Sequence, residues 1–329
     1  MKKIVVSIII VNWNGKKWLK KCLDSLKSQT FKNFEIILVD NSSTDDSVQY
    51  VKKNYREVIL LANGENLGFS LANNQASKIA SGKYLFFLNN DTKVHSKTIS
   101  EIVKAMEEDK NIGICGCKMM SYDGERYFHT GIGIDVFGFP LKRNKAFYVE
   151  GSALMIRKEL FDKLDGFDSR YFMFHEDIDL AWRVRLLGYQ VIALSSAVIY
   201  HQVGVSAGGG EKIKGRYQLS YLKRYYSERN NIRTLLKNYQ IQTLLCILPC
   251  YFLINLSEVF FFLILLKFRI AHFYLKAYMW NFANLRDTLN RRAEIQESRV
   301  ISDRQLMQKM YFGCGKFVVL LKIGIPVFK

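Results

Sequence analysis

Met1-Lys2-Lys3-Ile4-Val5-Val6-Ser7-Ile8-Ile9-Ile10-Val11-Asn12-Trp13-Asn14 places two lysines ahead of an apolar run that stops abruptly at a polar turn. The charged start and apolar body imitate a secretory leader. Asn12, Trp13 and Asn14 nevertheless end the run without a small-residue cleavage site, and a run of this length is equally a strand buried on both faces of a parallel sheet. The strand reading is adopted, and it makes the first polar turn the end of a sheet strand.

Apolar runs of strand length alternate with helical patterns through the first half of the chain. Val5–Asn12 precedes a helix near Lys16–Ser28, Glu35–Asp40 precedes Asp46–Asn54, Val58–Leu61 precedes Gly68–Ala80, and Tyr84–Asn89 precedes Ser96–Asp109; a further strand is expected over Ile112–Lys118. Such alternation predicts an α/β fold, a mixed and mostly parallel sheet flanked by helices. Ligands of such sheets bind beyond the carboxyl ends of the strands. The polar clusters fall there: Asn12, Asn14 and Gly15; Asp40-Asn41-Ser42-Ser43; Asn63-Gly64-Glu65-Asn66; and Asn89-Asn90-Asp91. Beyond them, Ala153–Arg157 reads as a strand, Lys158–Leu164 as a short helix, Asp177–Leu187 as an amphipathic helix and Ala197–His201 as a closing strand, followed by a connection at Gly204 and Gly208–Gly210.

The 329 residues carry a net charge of +18, unevenly spread. Residues 1–200 hold 28 basic and 23 acidic side chains, residues 201–329 hold 20 and 7. The shift marks a boundary soon after residue 200, dividing a nearly balanced domain over 1–210 from a basic, helical region over 211–329. From Ile241 to Leu266 the chain has no Lys or Arg and a single acid, Glu258, a stretch long enough to span a bilayer. Ahead of it Lys212, Lys214, Arg216, Lys223, Arg224, Arg229, Arg233 and Lys237 mix with Tyr217, Tyr221, Tyr225 and Tyr226, as in a segment lying on anionic headgroups. Pro249 and Glu258 inside the apolar stretch, and basic flanks on both sides, favour a monotopic over a single-pass protein at the cytoplasmic face of the membrane. The six cysteines show neither metal-site spacing nor a disulfide framework, so reduced thiols are expected.

Four places carry chemistry. Asp40 ends a strand where a carboxylate can accept hydrogen bonds from a base or ribose, although Ser and Asp there equally cap a helix. Asp91, after Tyr84-Leu85-Phe86-Phe87-Leu88-Asn89-Asn90, can supply an oxygen to Mg²⁺ or Mn²⁺ gripping a diphosphate, or merely sit in a surface turn. In His175-Glu176-Asp177-Ile178-Asp179-Leu180-Ala181-Trp182-Arg183 three carboxylates stand at a helix start, where they suit a general base or simply compensate the helix dipole; Trp182 and Arg183 read as packing and pairing residues. His201, at a strand end just before a Gly-rich loop and 24 residues after Asp177, is a candidate metal ligand, although a lone strand-end histidine is more often structural or exposed. No Gly-x-Gly-x-x-Gly follows the first strand, which argues against a dinucleotide cofactor.

In combination and in this order, Val11-Asn12-Trp13-Asn14, Val39-Asp40-Asn41-Ser42-Ser43-Thr44-Asp45, Asn66-Leu67-Gly68-Phe69, Leu88-Asn89-Asn90-Asp91-Thr92, Gly151-Ser152-Ala153, Gly166-Phe167-Asp168 and the Glu176-Asp177 segment resemble the family 2 glycosyltransferases of GT-A fold, in particular the bacterial rhamnosyltransferase-like enzymes of polysaccharide assembly. The resemblance runs from about Ser7 to Ser206. It implies that Asp40 contacts the nucleotide and that Val11 and Asn12 line the base pocket. It further implies substrate-binding roles for Asn66, Gly68, Asn89, Asn90, Gly151, Ser152 and Glu176, the base for Asp177, and metal ligation by Asp91 and His201. Asn89 stands where the family's Asp-x-Asp motif has its first acid, which removes one charge from the metal site. Arg229-Asn230-Asn231 before the apolar stretch resembles members acting on lipid-linked acceptors.

The expected activity is a non-processive, inverting transfer from a nucleotide-diphosphate sugar, dTDP-rhamnose or a UDP-sugar, to a lipid-linked glycan, with a divalent cation. The Gln-x-x-Arg-Trp signature of processive synthases is absent. Two other classes remain. One is a non-catalytic nucleotide-sugar-binding partner of another transferase. The other is a nucleic-acid binder with a basic tail, which would have no use for the uncharged run Ile241–Ser257. A homo-oligomer is left open.

Overall fold

The computed structural model describes residues 4–141, 146–202, 209–213, 216–324 and 327–328. Gly204 and Gly208 of the expected flexible connection, and Lys214 of the basic segment, lie outside them. Two compact units emerge. The first comprises Met1–Ile132, Asn144–Arg185 and Tyr189–Gln202; the second comprises Gly133–Arg143, Leu186–Gly188 and Val203–Lys329.

In the first unit the chain order is β1 (Val6–Asn12), α1 (Lys16–Lys27), β2 (Phe34–Asp40), α2 (Ser47–Asn54), β3 (Ile59–Ala62), α3 (Gly68–Ile79), β4 (Tyr84–Asn89), β5 (Thr92–Val94), α4 (Thr98–Glu108), β6 (Ile112–Ser121) and β7 (Tyr127–Thr130). After β8 (Gly133–Ile134) and β9 (Pro140–Leu141) of the second unit come β10 (Ala153–Arg157), α5 (Lys158–Lys163), α6 (Glu176–Leu186) and β11 (Gln190–His201). One sheet holds β3-β2-β1-β4-β10-β6-β11-β5, with β7 added on β6. β1, β2, β3 and β4 pair in parallel, as do β6 and β11, whereas β10 runs antiparallel between β4 and β6.

The opening run is therefore a strand, and its continuous apolarity has a physical cause. Ile8 and Ile10 pack with Leu38, Phe86 and Leu88 against Leu19, Leu23, Ile99 and Ile102 of the helices. Ile9, Ile37 and Phe87 alternate with them and so point to the other face, where Phe87 meets Phe161 and Phe167 at centroid distances of 5.0 and 4.9 Å. Three features escape the periodicity reading. β5 and β7 are too short and too polar to announce themselves, and β11 begins seven residues before the expected Ala197 because register shifts at Leu194/Val198 interrupt its pattern.

The second unit holds a small sheet of β12 (Gly209–Ile213), β13 (Arg216–Leu219) and β14 (Val327–Phe328), and the helices α7 (Tyr221–Asn238), α8 (Ile241–Ile264), α9 (Phe268–Ala283), α10 (Leu285–Ser298), α11 (Asp303–Met307) and α12 (Gly315–Ile323). α8 is long and apolar enough to cross a membrane by length and composition, and it continues through Pro249. The basic segment before it departs from expectation. Arg229, Arg233, Lys237 and Tyr225 are buried rather than offered to headgroups. Arg233 pairs with Asp287 at 2.7 Å and donates to Thr288, while the Arg229 guanidinium stacks 4.3 Å from Trp280. Composition alone cannot distinguish a basic face turned to lipid from one turned to an adjoining helix.

Candidate active site

The sheet order reverses at β1, which has β2 and β3 on one side and β4 on the other. Connections leaving such neighbours diverge and open a crevice beyond their carboxyl ends. Asn12 closes β1 in register with Asp40 at the end of β2, and Val11 stands opposite Asn89 at the end of β4.

These ends are tied into one polar network. Asn12 Nδ2 donates to Asp40 Oδ2 (2.8 Å) and Ser43 Oγ (3.1 Å), and Asn12 Oδ1 accepts from Asn90 Nδ2 (2.7 Å). The Ser43 amide donates to Asp40 Oδ1 at 2.8 Å. Asp40 is 1% exposed with both oxygens engaged, so a ligand would meet only its remaining lone pairs. A Cβ on Gly15 would stand 2.0 Å from Asn90 Nδ2 and 2.4 Å from Asn12 Oδ1, so any larger residue would push these two amides apart.

Asn66 and Gly68 form its far wall. Asn66 Oδ1 accepts from the Gly68 amide at 2.9 Å and from Asn41 Nδ2 at 3.2 Å. Gly68 has φ +76°, and a Cβ there would meet Phe172 O at 2.4 Å, the same oxygen that accepts from the Phe69 amide. On the other wall the Asn89 amide donates to Ser152 O at 3.0 Å.

Asp91 and His201 are brought together by the antiparallel pairing of β5 with β11, which sets Thr92 opposite His201. His201 Nε2 stands 3.2 Å from Asp91 Oδ1, both buried, without the alignment of a hydrogen bond. Burial disfavours the charged imidazole, yet the Asp91 carboxylate and the more distant Glu150 outweigh it and hold the His201 pKa above its usual value. Among the described residues no three His, Cys, Asp or Glu side chains converge into a set able to hold a metal ion unaided, so the Asp91 and His201 pair lacks a third protein ligand.

The acidic helix start is positioned by strained backbone. Phe174 and His175 both have φ 66°, an uncommon conformation for bulky residues, and α6 begins immediately after them. Asp177 Oδ2 accepts from the Gly151 amide at 3.1 Å and Oδ1 from the Ile178 amide at 2.8 Å. Burial pushes its carboxyl up to about 7; the Gly151 N–H opposes that rise and the Glu150 charge adds to it. Glu176 is 7% exposed, and burial together with the Asp177 charge lifts it well above the carboxylate range. Its Oε2 has no hydrogen-bond partner among the described residues. A Cβ on Gly151 would crowd the Phe69 ring, 3.1 Å from Cζ, and would merely touch Glu176 Oε1 at 3.7 Å.

Asp179 does not belong with these two. It is fully buried and pairs with Arg183 Nε at 2.8 Å, while the Arg183 Nη atoms hold Leu164 O and Gly166 O, each at 3.0 Å. The i,i+4 spacing turns it inward, so the mouth of the helix offers two carboxyls, not three. A group that the sequence pattern does not single out takes its place. Glu150, just before Gly151-Ser152, stands 3.4 Å from His129 Nε2, and its charge acts on both Asp177 and His201. Its place beside the Gly151-Ser152 motif is the one signal the sequence carries for it.

Residues 7–165 match the model of Glycosyl transferase family 2. The O-antigen biosynthesis protein RfbC of Myxococcus xanthus is 26% identical over 238 residues, 66% of this chain but only 19% of that protein. The N-acetylglucosaminyl-diphospho-decaprenol L-rhamnosyltransferase of Mycobacterium tuberculosis is 26% identical over 240 residues, 62% of this chain and 78% of its own length. Among solved structures, S. aureus TarS 1-349 in complex with UDP shares 21% identity with a TM-score of 0.53, over 71% of this chain and 66% of that one. Sheet order, cleft position and sequence match agree: the chain carries a glycosyl transferase family 2 domain over residues 7–165 and has the GT-A fold.

Proposed function

We propose that the chain is a non-processive, inverting glycosyltransferase that moves a sugar from a nucleotide-diphosphate donor to a hydroxyl of a lipid-linked cell-surface glycan. One observation carries the reading. Asp177 is a carboxyl lifted to about 7 and anchored by the Gly151 and Ile178 amides, in the unit whose sheet opens the cleft. A base poised near neutrality takes a proton efficiently without being permanently protonated. The family 2 domain supports the reaction class, and the Mycobacterium tuberculosis relative, named for a diphospho-decaprenol acceptor and a rhamnosyl group, supports the lipid-linked acceptor. On that relative the donor of choice is dTDP-rhamnose, with a UDP-sugar second.

In this scheme the base sits against Val11 and Asn12, the nucleotide reaches Asp40, and Asn66, Gly68, Asn89, Asn90, Gly151 and Ser152 surround the sugar diphosphate. The acceptor hydroxyl gives its proton to Asp177 as its oxygen attacks the anomeric carbon from the face opposite the diphosphate. The bond from that carbon to the diphosphate oxygen breaks, and its electron pair leaves with the nucleotide diphosphate. Glu176, kept protonated by burial beside Asp177, donates a hydrogen bond to a substrate hydroxyl.

The residues at β5 and β11 fit a divalent cation in part. Among the described residues Asp91 Oδ1 has no hydrogen-bond partner, and it faces His201 Nε2; cations of this kind take one or two protein groups plus diphosphate oxygens. A Mg²⁺ or Mn²⁺ held there with the donor would neutralise charge on the leaving diphosphate. Catalysis is assigned to residues 1–210, and attachment at the cytoplasmic face of the membrane to 211–329. A panel of nucleotide sugars, scored for thermal stabilisation and for transfer to a polyprenyl-diphosphate-linked sugar, tests the proposal. Stabilisation by a donor with no transfer to any acceptor would instead favour the non-catalytic partner subunit.

A further inference from the structure

We infer that the second unit docks on an anionic lipid bilayer by an in-plane apolar face built from α8, α9 and the turn between them, and that α8 does not cross the membrane. The inference does not depend on the transferase chemistry. On α8, Leu245, Phe252, Leu256, Phe260 and Ile264 are 46–71% exposed and recur at helical spacing, while Leu244, Ile247, Tyr251, Asn255 and Phe262 on the opposite side are buried. α9 repeats the division, with Leu275, Met279 and Phe282 exposed and Ile270, Tyr274, Ala277 and Asn281 buried.

The buried side of α8 carries polar groups that are already committed to partners. Tyr251 donates to Glu228 Oε2 of α7 at 2.9 Å, and Lys316 of α12 reaches Asn255 (2.7 Å), Glu228 (2.6 Å) and Glu258 (2.9 Å). Arg224 of α7 pairs with Glu258 as well. A spanning α8 would carry this charged network, and the polar α7 behind it, into hydrocarbon, where such groups are costly. An in-plane α8 leaves the network in protein and gives only the uncovered stripe to lipid.

Two further features identify the occupant. The turn places Leu266 at φ 56°, a conformation that favours glycine, with its side chain 72% exposed. A strained, uncovered leucine beside the exposed Leu265 and Phe268 suits insertion among acyl chains. Lys267, Arg269 and Lys276 are exposed around the same turn and helix, which complements anionic headgroups rather than a second copy of an equally basic surface.

The test uses the full chain and vesicles of phosphatidylcholine with or without phosphatidylglycerol. Co-sedimentation with the anionic vesicles, release by alkaline carbonate, and a blue shift of an environment-sensitive dye on the exposed Cys246 and Cys250 are expected. Leu256→Ser with Leu266→Gly should weaken vesicle binding about tenfold or more. Leu266→Gly relieves backbone strain, so thermal unfolding should show the double variant still folded, and the dye readout needs no core substitution. Retention after carbonate would establish a spanning α8 and overturn the inference. So would protein that stays in the supernatant, or exposed leucines whose loss abolishes self-association and leaves vesicle binding unchanged.

Discussion

Asp177→Asn should move activity and stability in opposite directions. The carboxyl rises from 3.8 to about 7 on folding. At about 1.4 kcal/mol per unit, the folded protein disfavours the ionised form by about 4 kcal/mol as a ceiling. An amide has one acceptor oxygen where the carboxylate uses two, for the Gly151 and Ile178 amides, so the substitution gives back roughly 1–2 kcal/mol. Asp177 keeps part of its surface open to solvent, which lowers the ceiling further. Net stabilisation of about 1–2 kcal/mol at pH 8 remains, a rise of some degrees in Tm. The sign follows from linkage: an acid whose folded pKa is raised contributes stability fully present below about pH 4 and lost as the pH climbs through about 7. The gain of the variant should therefore vanish near pH 4, where only the lost acceptor shows, and be widest above pH 7. Transfer should fall roughly 10²–10⁴-fold with donor affinity little changed. Melting curves from pH 4 to 8.5 and initial rates on one preparation decide the matter. Near-normal turnover would remove Asp177 as the base, and a lower Tm at pH 8 would refute its burial-raised pKa.

Four more outcomes are expected from the same geometry. Asp179→Asn should cost roughly 3–5 kcal/mol of stability by stranding buried Arg183, seen as an early thermal transition, with residual turnover per folded molecule little changed. Gly15→Ala should break the Asn12 and Asn90 bond and weaken donor binding by about tenfold or more in calorimetry, with the first-unit fold retained by circular dichroism. Glu150→Gln removes a charge that raises Asp177, so the acidic limb of the pH–rate profile should move to lower pH while maximal turnover stays within about tenfold. His201→Ala should raise the Mg²⁺ or Mn²⁺ concentration needed for half-maximal transfer by roughly 10–100-fold; full wild-type activity in chelator would refute metal use at this position.

Several elements are legible in the chain itself because each depends on local periodicity. Val6–Asn12, Phe34–Asp40, Tyr84–Asn89 and Ala153–Arg157 lie within a residue or so of the expected runs, since strands buried on both faces must be apolar at nearly every position. The polar residues that stop those runs are legible for the same reason, and so Asn12, Asp40, Asn89 and Asn90 fall at the sheet edge on sequence grounds. Their order along the chain suffices for the family.

Which of those residues meet is decided only by tertiary structure. Asp91 and His201 lie 110 positions apart and come within 3.2 Å through β5, a three-residue strand too short to read. Glu150 pairs with His129 and brings its charge to bear on Asp177 in the same way, and Asp179, two residues beyond Asp177, turns away to Arg183. The basic residues of α7 show the same limit: their charge is written in the chain, but helices far along the sequence determine whether it faces lipid, solvent or a buried partner. Sequence records periodicity and residue chemistry, which are local. Burial, pairing and the pKa values they set arise from contacts between distant segments, and only the packed fold defines them.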